Sequence, residues 1–327
     1  MKVIILICLL SALIMAEEKY FDRLGYDEVK NQFIGNPLEK PPAHGIYYKV
    51  ILNEIGKITE IWRMDGSRLS SNQFGIAKQK FRYNDKGLPV EKSFYDDKDN
   101  PTNGQGGIHR TIALYDKNGW VIEEENLKSD GSPALPIARK TFKYDEQGRV
   151  IEEAYFGLEG KPIQGLARRV YKYNEKNLIS VSGFDGSGLP YADKYGIITV
   201  FWTYDKDGRR TEEGYLGTGD KPILNPFGFA KFQVVYDSQG RMIEKKFLDG
   251  NNNLINNKDG IAKIKRLYDE KGRLKEVVYY NASEIQANNK ERFSKETYDY
   301  IDDQDHYIYK CIDANGKTIK IERHIED

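Results

Sequence analysis

The strongest constraint on this 327-residue chain is a unit that returns at a nearly fixed period. A core of Tyr-Asx-x-x-Gly stands at Tyr83 with Gly87, Tyr115 with Gly119 and Tyr144 with Gly148. It continues at Tyr204 with Gly208, Tyr236 with Gly240 and Tyr268 with Gly272. Degenerate copies begin at Leu52, with Gly56, and at Tyr173, where Asn177 replaces the glycine. Successive copies from Leu52 to Tyr268 lie 29 to 32 residues apart. Self-similarity at that period implies a stack of small units, none able to bury its apolar face alone. Asp or Asn initiates a turn, glycine supplies a positive φ, and the flanks alternate with period two. Each copy is therefore predicted to be two strands around a tight turn.

Counting from the Tyr as position 0 exposes the faces. Position −6 is Ala77, Ala138, Ala167, Ala230 and Ala262, with His109 and Ile198 as exceptions. Position −2 is Phe81, Phe142, Tyr171, Trp202 and Val234; position +7 is Val90, Ile122, Ile151 and Ile243. Position +11 is Phe94, Tyr155, Phe184, Tyr215, Phe247 and Tyr279. If the turn pairs position 0 with +5, all these columns share one face, the predicted core. The other face is charged. Position −5 is Lys78, Arg110, Arg139, Arg168, Lys231 and Lys263; position +8 is Glu60, Glu91, Glu123, Glu152, Glu212, Glu244 and Glu276, broken at Val181. The two charged columns read as diagonal neighbours across each hairpin. This is an ordinary solvated face with pairs worth about 0–1 kcal/mol each; a charged recognition face is the alternative.

Met1-Lys2, the apolar run Val3 to Met15, and Ala16 before Glu17-Glu18 have the layout of a secretory signal peptide cut after Ala16. An uncleaved anchor is the alternative, and the run is short for a membrane span. The expected organisation is a signal peptide at 1–16, a cap at 17–44, tandem hairpins at 45–281, and a C-terminal region at 282–327. The last comprises a polar insertion or surface loop over 282–306 and a closing hairpin from Tyr307 to Glu322 around Asp313-Ala-Asn-Gly316.

Lys plus Arg equals Asp plus Glu at 50 each, with no basic block, so nucleic acid is not an expected partner. The four histidines, His44, His109, His306 and His324, lack metal-ligand spacing. Adjacent acids such as Glu152-Glu153 and Glu212-Glu213 point to opposite faces of a strand and make no catalytic pair. Asp96 to Asn100 and Asp205 to Gly208 are oxygen-rich but match no full Ca²⁺ loop. Gly104-Gln-Gly-Gly107 lacks the strand-to-helix setting and lysine of a phosphate cradle. No catalysis, metal or cofactor is expected. Cys8 falls in the leader, leaving Cys311 as a lone thiol expected to pack as a small hydrophobe. Trp202 falls on the core face. Trp62 and Trp120 are read as packing, with a share in a binding surface as the alternative.

The run Tyr144-Asp145-x-x-Gly148-Arg149 resembles the YD repeats of Rhs-type bacterial secreted proteins. Gly165-Leu-Ala167 and Gly148-Arg-Val-Ile151 are also similar to bacterial WG-type repeats. The resemblance covers about 45–281. It implies exported β-structured repeats used as shells, scaffolds or contact surfaces, and brings no catalytic set.

The expectation is an all-β fold: tandem β-hairpins of about 30 residues forming a solenoid-like or continuous twisted sheet, capped at both ends. A β-propeller is the runner-up. The expected function is an exported, non-enzymatic binding or scaffold surface at the cell envelope or cell surface, an adhesin being one form. Its partner would be an unidentified protein or glycan, with no membrane span after signal removal. A purely structural envelope component is equally compatible. The alternative from another class is an exported enzyme or enzyme accessory with a site in 282–306, around Asp303, Asp305 and His306.

Overall fold

The structure, a computed structural model, describes residues 17–27, 32–301 and 306–324. The expected leader, Cys8, Asp303 and Asp305 lie outside these. The chain divides into two compact units where the sequence suggested one elongated domain. One runs up to Lys143 and includes Ala154–Ile163; the other holds Tyr144–Glu153 and everything from Gln164 onward. The fold is all-β: the described regular structure is strand apart from three 3-10 turns.

In the second unit the Tyr204 hairpin is Thr199–Tyr204 with Arg210–Leu216, and the Tyr236 hairpin is Lys231–Tyr236 with Met242–Leu248. The Tyr268 hairpin is Lys263–Tyr268 with Leu274–Tyr280. Each second strand also pairs with the next first strand, as in Glu212 with Gln233 and Gly214 with Lys231. The ladder therefore runs on from hairpin to hairpin, unlike the separate blades of a propeller. The first unit repeats the pattern, and its N-terminal strand Glu17–Phe21 pairs along Ile46–Leu52 and with Pro37–Leu38.

The expected register is corrected by a bulge. Tyr204 lies opposite Arg210, but Thr203 lies opposite Glu212 and Trp202 opposite Glu213. Position 0 thus pairs with +6, and beyond the shift −2 meets +9 and −4 meets +11. Parity survives, so the columns keep their faces while changing partners. The Tyr173 turn is one residue shorter, which puts Lys172 opposite Ser180 and Arg168 opposite Phe184. Ser180, not Val181, therefore holds the glutamate place. Gly183 takes the +11 place, and Phe184 belongs to the charged face, beneath the Arg168 guanidinium at 4.7 Å.

The charged columns meet between hairpins rather than across one. Arg139 reaches Glu123 at 2.9 Å, Arg168 reaches Glu152 at 3.0 Å and Lys231 reaches Glu212 at 3.1 Å. Each basic residue belongs to the hairpin that follows its acid. Lys78 and Lys263 instead bind Asp99 and Glu284 in the loops after their own hairpins.

The repeat motif is consumed by the turn and by the next hairpin. Asp237 Oδ1 accepts the amides of Gln239 and Arg241, both at 2.9 Å, while Gly240 sits at φ 83°. Asp237 Oδ2 accepts Arg241 Nε at 2.7 Å. The Arg241 guanidinium then lies 4.6 Å over the ring of Tyr268, and the Tyr268 hydroxyl donates to the carbonyl of Met242 at 3.0 Å. The same donation joins Tyr204 to Leu178, Tyr236 to Arg210 and Tyr83 to Ile58. Tyr is needed because phenylalanine would leave that bulge carbonyl without its donor. Tyr268→Phe is expected to cost about 1 kcal/mol in urea unfolding. A change below about 0.3 kcal/mol would remove the staple's role.

The core lies on the face carrying −4 and +11, under the loops that link hairpins. Phe229, Phe247 and Ile261 form its buried centre in the second unit, packed by Tyr215, Phe232, Ile255, Ile264 and Tyr279. Phe229 and Ile261 stand at −7, a column absent from the strand-based reading: Ile76, Ile108, Ile137, Leu166, Ile197, Phe229, Ile261 and Phe293. The small −6 residue next to it sits between two strands. The Ala262 amide donates to Tyr280 and its carbonyl accepts from Phe247, both at 2.8 Å. His109 and Ser294 fill the same place with polar bonds of their own. His109 Nδ1 donates to the Phe94 carbonyl at 2.8 Å, and Ser294 Oγ accepts from Gln286 Nε2 at 2.8 Å.

The segment 282–306, expected as an insertion or surface loop, contains a further repeat strand. Lys295–Tyr300 pairs with Tyr307–Ile312, and the Tyr300 hydroxyl donates to the Leu274 carbonyl at 3.1 Å. The final strand, Thr318–His324, runs along Tyr307–Ile312. In the other hairpins that ladder is taken by the next repeat.

Candidate functional site

The Tyr115 hairpin differs from the copies on either side of it. In the Tyr115 hairpin, Arg110–Tyr115 with Val121–Leu127, the core face carries Thr111, Ala113, Glu124 and Asn126. The preceding copy has Phe81 at −2 and Phe94 at +11, and the following copy has Phe142 and Tyr155. Replacing two aromatic rings by Ala113 and Asn126 removes the filling from the face. A cavity of about 890 Å³ opens there, within the range of small-molecule sites.

Its walls come from three directions. Phe81, Leu88 and Pro89 belong to the preceding hairpin, Ile108 to the loop before the Tyr115 hairpin, and Leu135, Pro136 and Ile137 to the loop after it. Asn126 ties the floor to that second loop. Its Oδ1 accepts from Thr111 Oγ1 at 2.9 Å and its Nδ2 donates to the Ile137 carbonyl at 3.2 Å.

The charges in this cavity are unevenly matched. Lys140 Nζ stands 3.9 Å from Glu124. Glu91 belongs to the charged column and pairs with Arg82 at 3.3 Å and Arg110 at 3.9 Å. Lys92 lies opposite Phe81, with its ammonium 5.9 Å from that ring centroid and 5.1 Å from that of Phe94. Among the described residues no carboxylate comes within ion-pair distance of it, and burial pushes its pKa down. Two aromatic faces supply part of the stabilisation that an anion would otherwise give. The arrangement suits an apolar molecule with a negative end.

The residues singled out from the sequence are placed elsewhere and are held by structure. Asp96 Oδ1 accepts the amides of Lys98 and Asn100, and Asp205 does the same for Asp207 and Arg209. These oxygen-rich stretches are turns in which Asp96 and Asp205 face their own backbone, while Asp99 and Asp207 pair with Lys78 and Arg209. Gln105–Gly107 is a 3-10 turn at the cavity edge. Trp62 is half-buried on the charged face between Lys49 and Lys78, and its Nε1 donates to Glu60 at 2.5 Å. The Trp120 backbone closes the Asp116 turn. Trp202 Nε1 donates to Glu213 at 2.8 Å. Of the alternative enzyme site, only His306 is described, and its carbonyl accepts from the Ile301 amide at 2.8 Å. Among the described residues, no group of three or more His, Cys, Asp or Glu is arranged to hold a metal ion. No helix there is long and apolar enough to cross a membrane.

A second polar cluster, in the other unit, is satisfied internally. Glu296 accepts the hydroxyls of Tyr279, Tyr298 and Tyr309, and Cys311 lies opposite it, buried. Burial and the neighbouring carboxylate raise the Tyr279 pKa; burial with Glu153 and Glu213 pushes Tyr171 and Tyr215 up to about 12. A phenol whose folded pKa is raised stabilises the fold fully below its unfolded value of about 10, and loses that contribution as pH rises through the folded pKa. Urea midpoints are therefore expected to be flat from pH 7 to 9 and to fall steeply from pH 10 to 12. A flat profile to pH 12 would contradict the buried tyrosine–glutamate contacts.

No family model and no curated protein matches the sequence. Among solved structures, one similar fold is in the TcdB2–TccC3–Cdc42 complex, at a TM-score of 0.43 and 12% identity, covering 88% of this chain and 14% of that one. Another is TcdB2–TccC3, at 0.35 and 12%, covering 90% and 18%. A porin-like protein from Bacteroides uniformis aligns at 0.25 and 9%, covering 94% and 93%. This chain thus spans a fifth or less of the TcdB2–TccC3 chains it matches.

Proposed function

We propose that the protein is an exported, non-enzymatic binding scaffold of the cell envelope or surface, with the Tyr115 cavity as its point of contact. One observation carries this reading. The polar residues of the repeat motif are engaged by their own turns and neighbours, whereas the Tyr115 hairpin carries Ala113 and Asn126 where both flanking copies carry rings, beside a cavity with an ammonium that no described carboxylate reaches. The binding or scaffold surface expected from the sequence is thereby centred on the Tyr115 cavity, with the other hairpins as its support. The leader expected at 1–16 is the basis for the export part of the proposal. Protease shaving of intact expressing cells, with lysed cells as control, tests it: peptides from the hairpins should be released from intact cells. Protection until lysis would contradict surface exposure and direct the search to periplasmic partners.

A further inference from the structure

We infer that the Tyr115 cavity binds an apolar carboxylate, such as a medium-chain fatty acid, with its acid group on Lys92. The inference rests on the binding-scaffold reading and adds the ligand's chemistry to it.

Three features converge. The lining is predominantly aliphatic and aromatic, from Phe81, Leu88, Ile108, Leu135 and Ile137, which demands an apolar body. At about 890 Å³ the space is large enough for a chain of ten or more carbons. The pairing in the cavity is uneven: Glu91 is held by Arg82 and Arg110 and Glu124 has Lys140 at 3.9 Å, whereas Lys92 has only ring faces. A partly desolvated ammonium without a counter-ion selects for a carboxylate over a neutral head, since an anion restores the pairing that burial removed.

The equivalent lysine of the Tyr236 hairpin shows what an internal solution looks like. Lys245 also occupies +9 and lies over Phe232 at 3.9 Å and Phe247 at 5.3 Å. There the field of Glu213 opposes the effect of burial, and Arg266 stands at −2 of the following hairpin. Lys92 lacks such a carboxylate, and Ala113 leaves the neighbouring position empty.

The test is calorimetric titration of the full chain with laurate and with its neutral match, lauryl alcohol. Laurate is expected to bind at least tenfold more tightly. Lys92→Met, which keeps the stem and removes the charge, should bring laurate to the affinity of the alcohol. Ala113→Phe, which restores the usual ring, should abolish binding of both, with circular dichroism confirming the fold of each variant. Binding that Ala113→Phe abolishes but Lys92→Met leaves unchanged would overturn the carboxylate inference and keep the cavity as a site. Absence of binding by either probe to the wild type, or binding indifferent to Ala113→Phe, would overturn the cavity reading itself.

Discussion

Phe229→Ala is expected to lower unfolding stability by about 3–5 kcal/mol, the cost of deleting a buried aromatic ring and leaving its cavity. The ring is 6% exposed and lies 4.8 Å from Phe247, 6.2 Å from Tyr215 and 6.3 Å from Phe232, centroid to centroid. It holds the linking loop against two successive hairpins, so its loss uncouples them. Phe227 supplies the control. It stacks on Phe229 at 6.5 Å but is 65% exposed, and Phe227→Ala should change stability by less than about 1 kcal/mol. Urea unfolding followed by fluorescence measures both. In a stack whose units depend on their neighbours, the Phe229 variant should also lose its single transition, the second unit melting first. Equal, small effects at the two positions would mean that the loop does not cover the core.

Ala262→Leu is the second large effect, and its cause is the opposite one. Ala262 is 0% exposed and is bonded through both its amide and its carbonyl to neighbouring strands, so a larger side chain has to displace backbone. The expected loss is about 3 kcal/mol, the upper end for overpacking. Ala262→Ser should be far milder, because Ser294 occupies the same column at 0% exposure with its hydroxyl bonded. Circular dichroism melts of the two variants separate steric displacement from a general sensitivity of the site. Similar melting points for Leu and Ser at 262 would refute the steric account.

The −6 column was legible in the sequence as a run of alanines, and its reason was not. Period-two alternation assigns faces to strand residues, but it says nothing about loop residues such as Phe229, which fold back over the face they follow. The Tyr300 repeat is hidden in the sequence because the polarity of 282–306 masks its spacing from Tyr268. Pairing partners were missed for another reason. The bulge after turns such as those of Tyr204, Tyr236 and Tyr268 adds one residue to one strand, a shift that leaves the faces intact and moves the partners. The cavity did leave a trace in the columns. Ala113 and Asn126 are gaps in the aromatic rows at −2 and +11, and a missing ring in a stacked repeat is space unless a neighbour fills it. The unpaired state of Lys92 had no such trace, since it depends on where the carboxylates of adjacent hairpins point.

The most direct measurement is titration with the fluorescent apolar anion 1-anilinonaphthalene-8-sulfonate of the wild type, Ala113→Phe and Val234→Phe, which places a ring at −2 of the Tyr236 hairpin. The account predicts one saturable site in the wild type and in Val234→Phe, and its loss in Ala113→Phe. A site that persists in Ala113→Phe would contradict the placement of the proposed binding site at the Tyr115 hairpin.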